Sequence, residues 1–134
     1  MSVEECLALL ADHPVGRVAI AQPGQPPLVV PVNYQLDGDA IVFRSDPGLK
    51  TQLLAHMPVS FEVDSIDPHH RTGWSVLVHG TAYLATHWET DHLHLDPWAE
   101  GKKRIWVRIV PSTITGRRLE PGDFDWPSDG RGYL

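Results

Sequence analysis

Residues 43–51 read Phe-Arg-Ser-Asp-Pro-Gly-Leu-Lys-Thr. A β-rich run ends at Arg44, a hydroxyl follows at Ser45, and Pro47-Gly48 turns the chain toward Lys50 and Thr51. A phosphate is held by this kind of arrangement: free main-chain N–H groups at a helix start with cationic donors beside them. Arg44 could grip two oxygens at once, and Lys50 could add a point charge. The spacing fits no Walker loop and no dinucleotide fingerprint, so a second reading stays open. In it, Ser45 or Asp46 caps a helix while Arg44 and Lys50 stand in solvent.

A second feature points to an anion. Residues 101–118 carry Lys102, Lys103, Arg104, Arg108, Arg117 and Arg118 and no acid. The chain as a whole has 17 acidic against 11 basic residues, a net charge of −6. A basic strand in an acidic protein can steer a small anion to one place, or it can be a solvated face laced with ion pairs.

Other reactive side chains form weaker patterns. His87, His92 and His94 lie near Asp91 and Asp96, and His69 and His70 are adjacent. His and Asp are metal ligands by type. The spacing does not put them on one helix face, so a solvated face is expected and no metal site. Cys6 sits beside Leu7 and Leu10 as a core or interface thiol, with no neighbour to activate it as a nucleophile. No G-x-S-x-G signature is present. Any redox chemistry would therefore be a cofactor's, with the protein positioning the substrate.

These residues need a frame to hold them. Ser2 and Glu5 form a capping-box pattern before a helix over 3–11, ended by His13-Pro14. Strands are predicted at 16–21, 28–35 and 40–44, with a turn at 22–27 and a hairpin turn at 37–39. Pro31 inside the second strand marks a sheet edge or a bulge. A short helix over 48–55 follows, then strands at 59–63 and 73–85 around a loop at 67–72. Thr86 and Glu89 repeat the capping pattern before a helical segment reaching about His94, and the last strand covers 105–114. Tight turns between successive strands imply antiparallel pairing. A small antiparallel β-barrel with short accessory helices is the expected architecture.

Composition excludes several classes. Eleven glycines and twelve prolines argue against long helices. No apolar run approaches the ~20 residues of a membrane helix. The first residues carry acids where a secretion signal carries bases. A single cysteine excludes a disulfide framework within the chain and fits a cytoplasmic setting. The acidic balance argues against nucleic acid as a partner.

The segments VGRVAI (15–20), PVNYQLDGDAIVFRSDPGLK (31–50), VSFEVDSID (59–67), GWSVLVHGTA (73–82) and RIWVRIVPSTITGRR (104–118) together resemble the pyridoxamine 5′-phosphate oxidase-like split-barrel family. The resemblance implies a mainly β fold: a six-stranded antiparallel split β-barrel over 1–118, homodimeric, with FMN sites at the subunit interface. It implies that Arg44, Ser45, Lys50 and Thr51 hold the FMN phosphate. Pro31, Val32, Asn33 and Tyr34 would lie along the isoalloxazine, largely through main chain. Trp74 and Ser75 would reach the flavin from the other subunit, and Trp106 and Arg108 would stand near the cofactor. A flavin-dependent oxidoreductase acting on a small molecule is the implied activity. Related proteins on this fold use the deazaflavin F420, whose acidic tail would suit Lys102 to Arg104; a flavin- or haem-binding carrier or sensor without turnover is a further alternative for this chain. The Pro/Gly-rich stretch 119–134 lies beyond the resemblance. Its Phe124, Trp126 and Tyr133 are expected to anchor it on a barrel or on the partner subunit.

Overall fold

The computed structural model describes residues 1–49, 56–99 and 105–121. Helix α1 (Val3–Ala11) starts as its sequence demands: the Ser2 hydroxyl accepts the Glu5 N–H at 3.1 Å. Six strands follow: β1 (Val15–Gln22), β2 (Gln25–Asp37), β3 (Ala40–Ser45), β4 (Met57–Asp67), β5 (Thr72–Leu84) and β6 (Ile105–Leu119). All pairings are antiparallel, and the ring closes in the order β1-β2-β3-β6-β5-β4.

Alternation puts the core inside the ring. Val18 and Ile20, Ile41 and Phe43, Phe61 and Val63, Val76 and Val78, and Val107 and Ile109 are all buried there. Helix α1 closes one mouth, sinking Cys6 and Leu10 into the same core. Close packing of the helix needs Gly116 on β6: a methyl group there would run into Met1 and the Cys6 sulfur. Tyr34 ties the helix to the barrel, its hydroxyl donating to the Leu10 carbonyl at 2.5 Å.

Several elements differ from expectation. Five of the six strands are longer than predicted, because outward polar positions continue the ladder wherever a partner strand is present; β5 has its predicted length, shifted by one residue. β6 runs through Leu119, the first residue of the expected arm. The segment expected as a helix over 48–55 shows a 3₁₀ turn at Pro47–Leu49; residues 50–55 lie outside the described part. Helix α2 is only His87–Thr90, and residues 91–99 continue as non-helical chain. The expected anchors Phe124, Trp126 and Tyr133 lie outside the described residues.

Pro31 does stand at an edge. Residues 34–37 of β2 pair with β3, whereas residues 25–33 pair with β1 alone among the described residues. The ring is thus open beside the first part of β2.

On the outer face, Arg17 of β1 bridges Glu62 (3.1 Å) and Asp64 (3.3 Å) of β4. Burial, with Asp64 adding to it, pushes the Glu62 carboxyl up from the ordinary 4.5 to about 7, against the pull of Arg17. The folded state therefore keeps a proton that the unfolded chain has released. Stability from this group is full below pH 4.5 and lost as the pH rises through about 7. A Glu62→Gln variant should melt a few degrees above the parent at pH 8 and level with it at pH 4. An equal difference at both pH values in thermal melts would contradict the assignment.

Candidate functional site

Two of the residues singled out for phosphate binding, Arg44 and Ser45, meet Trp106 at the junction of β3 and β6. Register sets Arg44 opposite Trp106 and Ser45 opposite Ile105. On both strands the even-numbered neighbours face outward, since Phe43 and Val107 fill the core. Arg44 thus lies over the Trp106 ring, 5.4 Å from its centroid, and the two can hold each other in place. One Arg44 Nη1–H donates to the Leu95 carbonyl at 3.0 Å. A guanidinium has five donors in a planar fork, so a bond that fixes its plane also aims the others. Lys50 and Thr51 lie outside the described residues.

Arg108, two positions further along β6, is placed in an ion network instead. It donates to Asp37 at 2.6 Å and lies 3.7 Å from Glu89. Asp37 also bonds His92 at 3.0 Å. Hydrogen bonds from Arg108 and His92 hold the Asp37 carboxyl below its usual range. Glu89 is held low by the Thr86 main-chain N–H and by the Tyr83 hydroxyl, which donates to it at 2.8 Å. Sequence reasoning missed Asp37, Tyr83 and Glu89. The capping pattern at Thr86 and Glu89 located the helix, but nothing local tied that helix to Arg108.

Residues 91–99 lie across this outer face as a strap. His92 bonds Asp37, the Leu95 carbonyl takes Arg44, and the Trp98 N–H donates to the Asn33 side chain at 2.7 Å. Beneath it Val42, on the outward side of β3, is fully buried, and so is most of Leu93. This segment too was invisible as a contributor, because its contacts are main-chain atoms and one histidine.

The β2 residues divide by face. Pro31 is exposed and Asn33 half-buried, on the outward side at the open edge. The Asn33 amide also donates to the Pro14 carbonyl at 3.3 Å. Val32 packs against the core, and Tyr34 is buried against Phe61, ring centroids 4.9 Å apart. Burial pushes the Tyr34 phenol well up. Only main-chain atoms of Val32 and Tyr34 are thus in a position to serve a ligand on the outer face.

Trp74 and Ser75 are elsewhere. Trp74 packs at the mouth closed by α1, edge-on to His13 at 4.7 Å. Its β6 partner is Arg118, whereas that of Arg44 is Trp106, twelve positions away. At ~3.3 Å per residue that is about 40 Å of strand contour. One protomer does not bring these two groups together.

What the junction offers on its outer face is a cation held by an aromatic face and an open strand edge with main-chain amides; Ser45, at an odd-numbered position, belongs to the Phe43 side of the strand. That donor set fits a phosphorylated, flat aromatic ligand. Among the described residues no group of three metal-ligating side chains converges, and no helix is long and apolar enough to cross a membrane.

Known proteins share the sequence pattern and the fold. A family model described as pyridoxamine 5′-phosphate oxidase matches residues 2–118. An uncharacterised Mycobacterium tuberculosis protein, Rv0080, is 30% identical over 125 residues, covering 87% of this chain and 82% of its own. The solved FAD-binding protein of Mycobacterium smegmatis is 31% identical with a TM-score of 0.74, covering 88% of this chain and 97% of that one. A solved FAD-binding protein of Mesorhizobium loti is 28% identical with a TM-score of 0.69, covering 88% and 95% respectively.

Proposed function

The chain belongs to the pyridoxamine 5′-phosphate oxidase family, and from that premise we propose that it is a flavin-binding oxidoreductase working as a homodimer. In this reading Arg44 and Ser45, joined by Lys50 and Thr51, hold the flavin phosphate. The main chain of Pro31 to Tyr34 lies along the ring system, with Trp106 near the cofactor. Arg108 acts through its ion network with Asp37 and Glu89, which fixes the β3–β6 face on which Arg44 sits. Trp74 and Ser75 come from the second copy.

The observation that carries the reading is the Arg44–Trp106 pair standing on the same outer face as the open edge of β2. Two solved relatives at 28–31% identity are named as FAD-binding proteins, which supports a flavin of either size. The distance of Trp74 from Arg44 along β6 supports a site completed by a partner. A bound flavin supplies hydride transfer to or from a small substrate. The protein's part is to orient the ring, to neutralise the phosphate, and to leave one ring face accessible.

The first test is the visible spectrum of the purified protein and its titration with FMN, with F420 titrated alongside. Yellow protein, or a saturable FMN response at one flavin per chain, is expected, with a dimer in sedimentation. Colourless protein with no affinity for FMN or FAD would overturn the reading. Preferential F420 binding would replace the flavin with the deazaflavin. Turnover with NAD(P)H and generic electron acceptors is expected; its absence in loaded protein would leave a carrier in place of an enzyme.

A further inference from the structure

The strap carries a tryptophan that the fold leaves bare. Trp98 is 71% exposed, although its own N–H is tied to the Asn33 side chain at 2.7 Å. Three residues earlier, the Leu95 carbonyl takes the Arg44 guanidinium at 3.0 Å. Three residues of chain span at most about 10 Å. The strap thus runs from Arg44, proposed to hold the flavin phosphate, to Asn33, proposed to lie along the ring. That is the course a ribityl chain takes between the two ends of one flavin. It sets Trp98 at the open edge of β2, where residues 25–33 pair with β1 alone among the described residues. Trp88 is also exposed, at 79%, but it belongs to α2 and its ring leans on His87, centroids 4.4 Å apart.

We propose that the Trp98 indole lies flat against the isoalloxazine and covers one of its two faces, leaving the other for hydride transfer. The inference rests on the flavin reading above. An isoalloxazine is flat and electron-poor, which suits the electron-rich face of an indole. A large aromatic surface kept in water beside a ligand site, on main chain bonded to that site, is one that the ligand covers. The bond that anchors the strap at Asn33 is made by the Trp98 main chain, so the side chain can be replaced without releasing it.

The test is titration of the parent, Trp98→Ala, Trp98→Phe and Trp88→Ala with FMN and with riboflavin, which has the ring and lacks the phosphate. Trp98→Ala should bind both ligands about tenfold more weakly, the size of one lost stacking contact. Trp98→Phe keeps an aromatic face and should stay within about threefold of the parent. Fluorescence of bound FMN, quenched by electron transfer from a stacked indole, should at least double in Trp98→Ala. Trp88→Ala should match the parent throughout. Parental affinity in Trp98→Ala, a loss confined to FMN, or bound FMN as quenched as in the parent would each overturn the inference and leave the flavin reading intact. Where riboflavin binds too weakly to titrate, FMN affinity and fluorescence decide. Failure of the parent to bind FMN or FAD would overturn both.

Discussion

Replacing Arg44 with Met is expected to weaken flavin binding by roughly 30- to 100-fold. The guanidinium is the only described side chain of the phosphate segment that combines charge with a fork of donors. Charge-assisted hydrogen bonds of this kind contribute about 2–3 kcal/mol, which sets the size of the loss. Arg44 also donates to Leu95 and lies over Trp106, so the variant loosens the strap as well. Thermal melts without flavin separate the two effects. The structural loss should be about 1 kcal/mol, within the usual range for a half-buried hydrogen bond. Arg44→Lys keeps the charge and drops the fork, and should fall between parent and Met in affinity. A folded Met variant with parental affinity would remove Arg44 from the site.

The second large effect belongs to the barrel itself. Gly16→Ala should lower stability by about 3 kcal/mol, a fall of roughly 10 °C in melting temperature. A methyl group at Gly16 would meet the Phe61 ring, overlapping its tip and lying 2.8 Å from the two flanking ring carbons. Phe61 is fully buried with Tyr34 packed edge-on against it, so the ring has nowhere to go. Shortening the ring should restore part of the loss. Gly16→Ala combined with Phe61→Leu is expected to be clearly more stable than the sum of the single effects predicts, the signature of direct contact in a double-mutant cycle. Additive behaviour would show that the glycine is required for another reason. By contrast nothing lies near Gly24, where a methyl group adds only the strain of its positive φ of 70°.

The elements were legible where a local pattern has one physical cause. The hydroxyl of Ser2 and the acid of Glu5 predict α1 to its first residue, and the hairpin turn at Gly38 follows from Asp-Gly between two apolar runs. Pro31 marks an edge because a missing N–H leaves few other places for it. Strand ends were less legible: Thr115 and Arg117 fall beyond the strand expected over 105–114, and only β5 alongside extends it to them. The candidate site was legible in part, through Arg44, Ser45 and Trp106. The β3–β6 register that joins them pairs residues about sixty positions apart, and no local signal specifies it. The partner of Arg108 was not legible at all. Asp37, 71 positions away, reads as a turn residue until the strands close the ring. The strap reads as helix because Thr86 and Glu89 cap convincingly, yet the helix stops after four residues. Tertiary bonds to Asp37, Arg44 and Asn33 replace the helical ones.

The unpaired stretch of β2 has a further consequence. A strand edge with exposed amides and carbonyls is a template on which another chain can grow as an added strand, the first step toward fibres. Here that stretch carries Pro26, Pro27 and Pro31 among nine residues. Each proline deletes a donor and holds the backbone at one angle; with the Tyr34 N–H turned toward Pro14, the odd-numbered residues face the open edge, so an incoming strand finds its ladder broken at Pro27 and Pro31. The edge proposed to give a ligand access to main-chain amides near Asn33 is thereby kept from recruiting protein. Replacing these prolines with valine would leave the ligand's amides in place and make the barrel sticky.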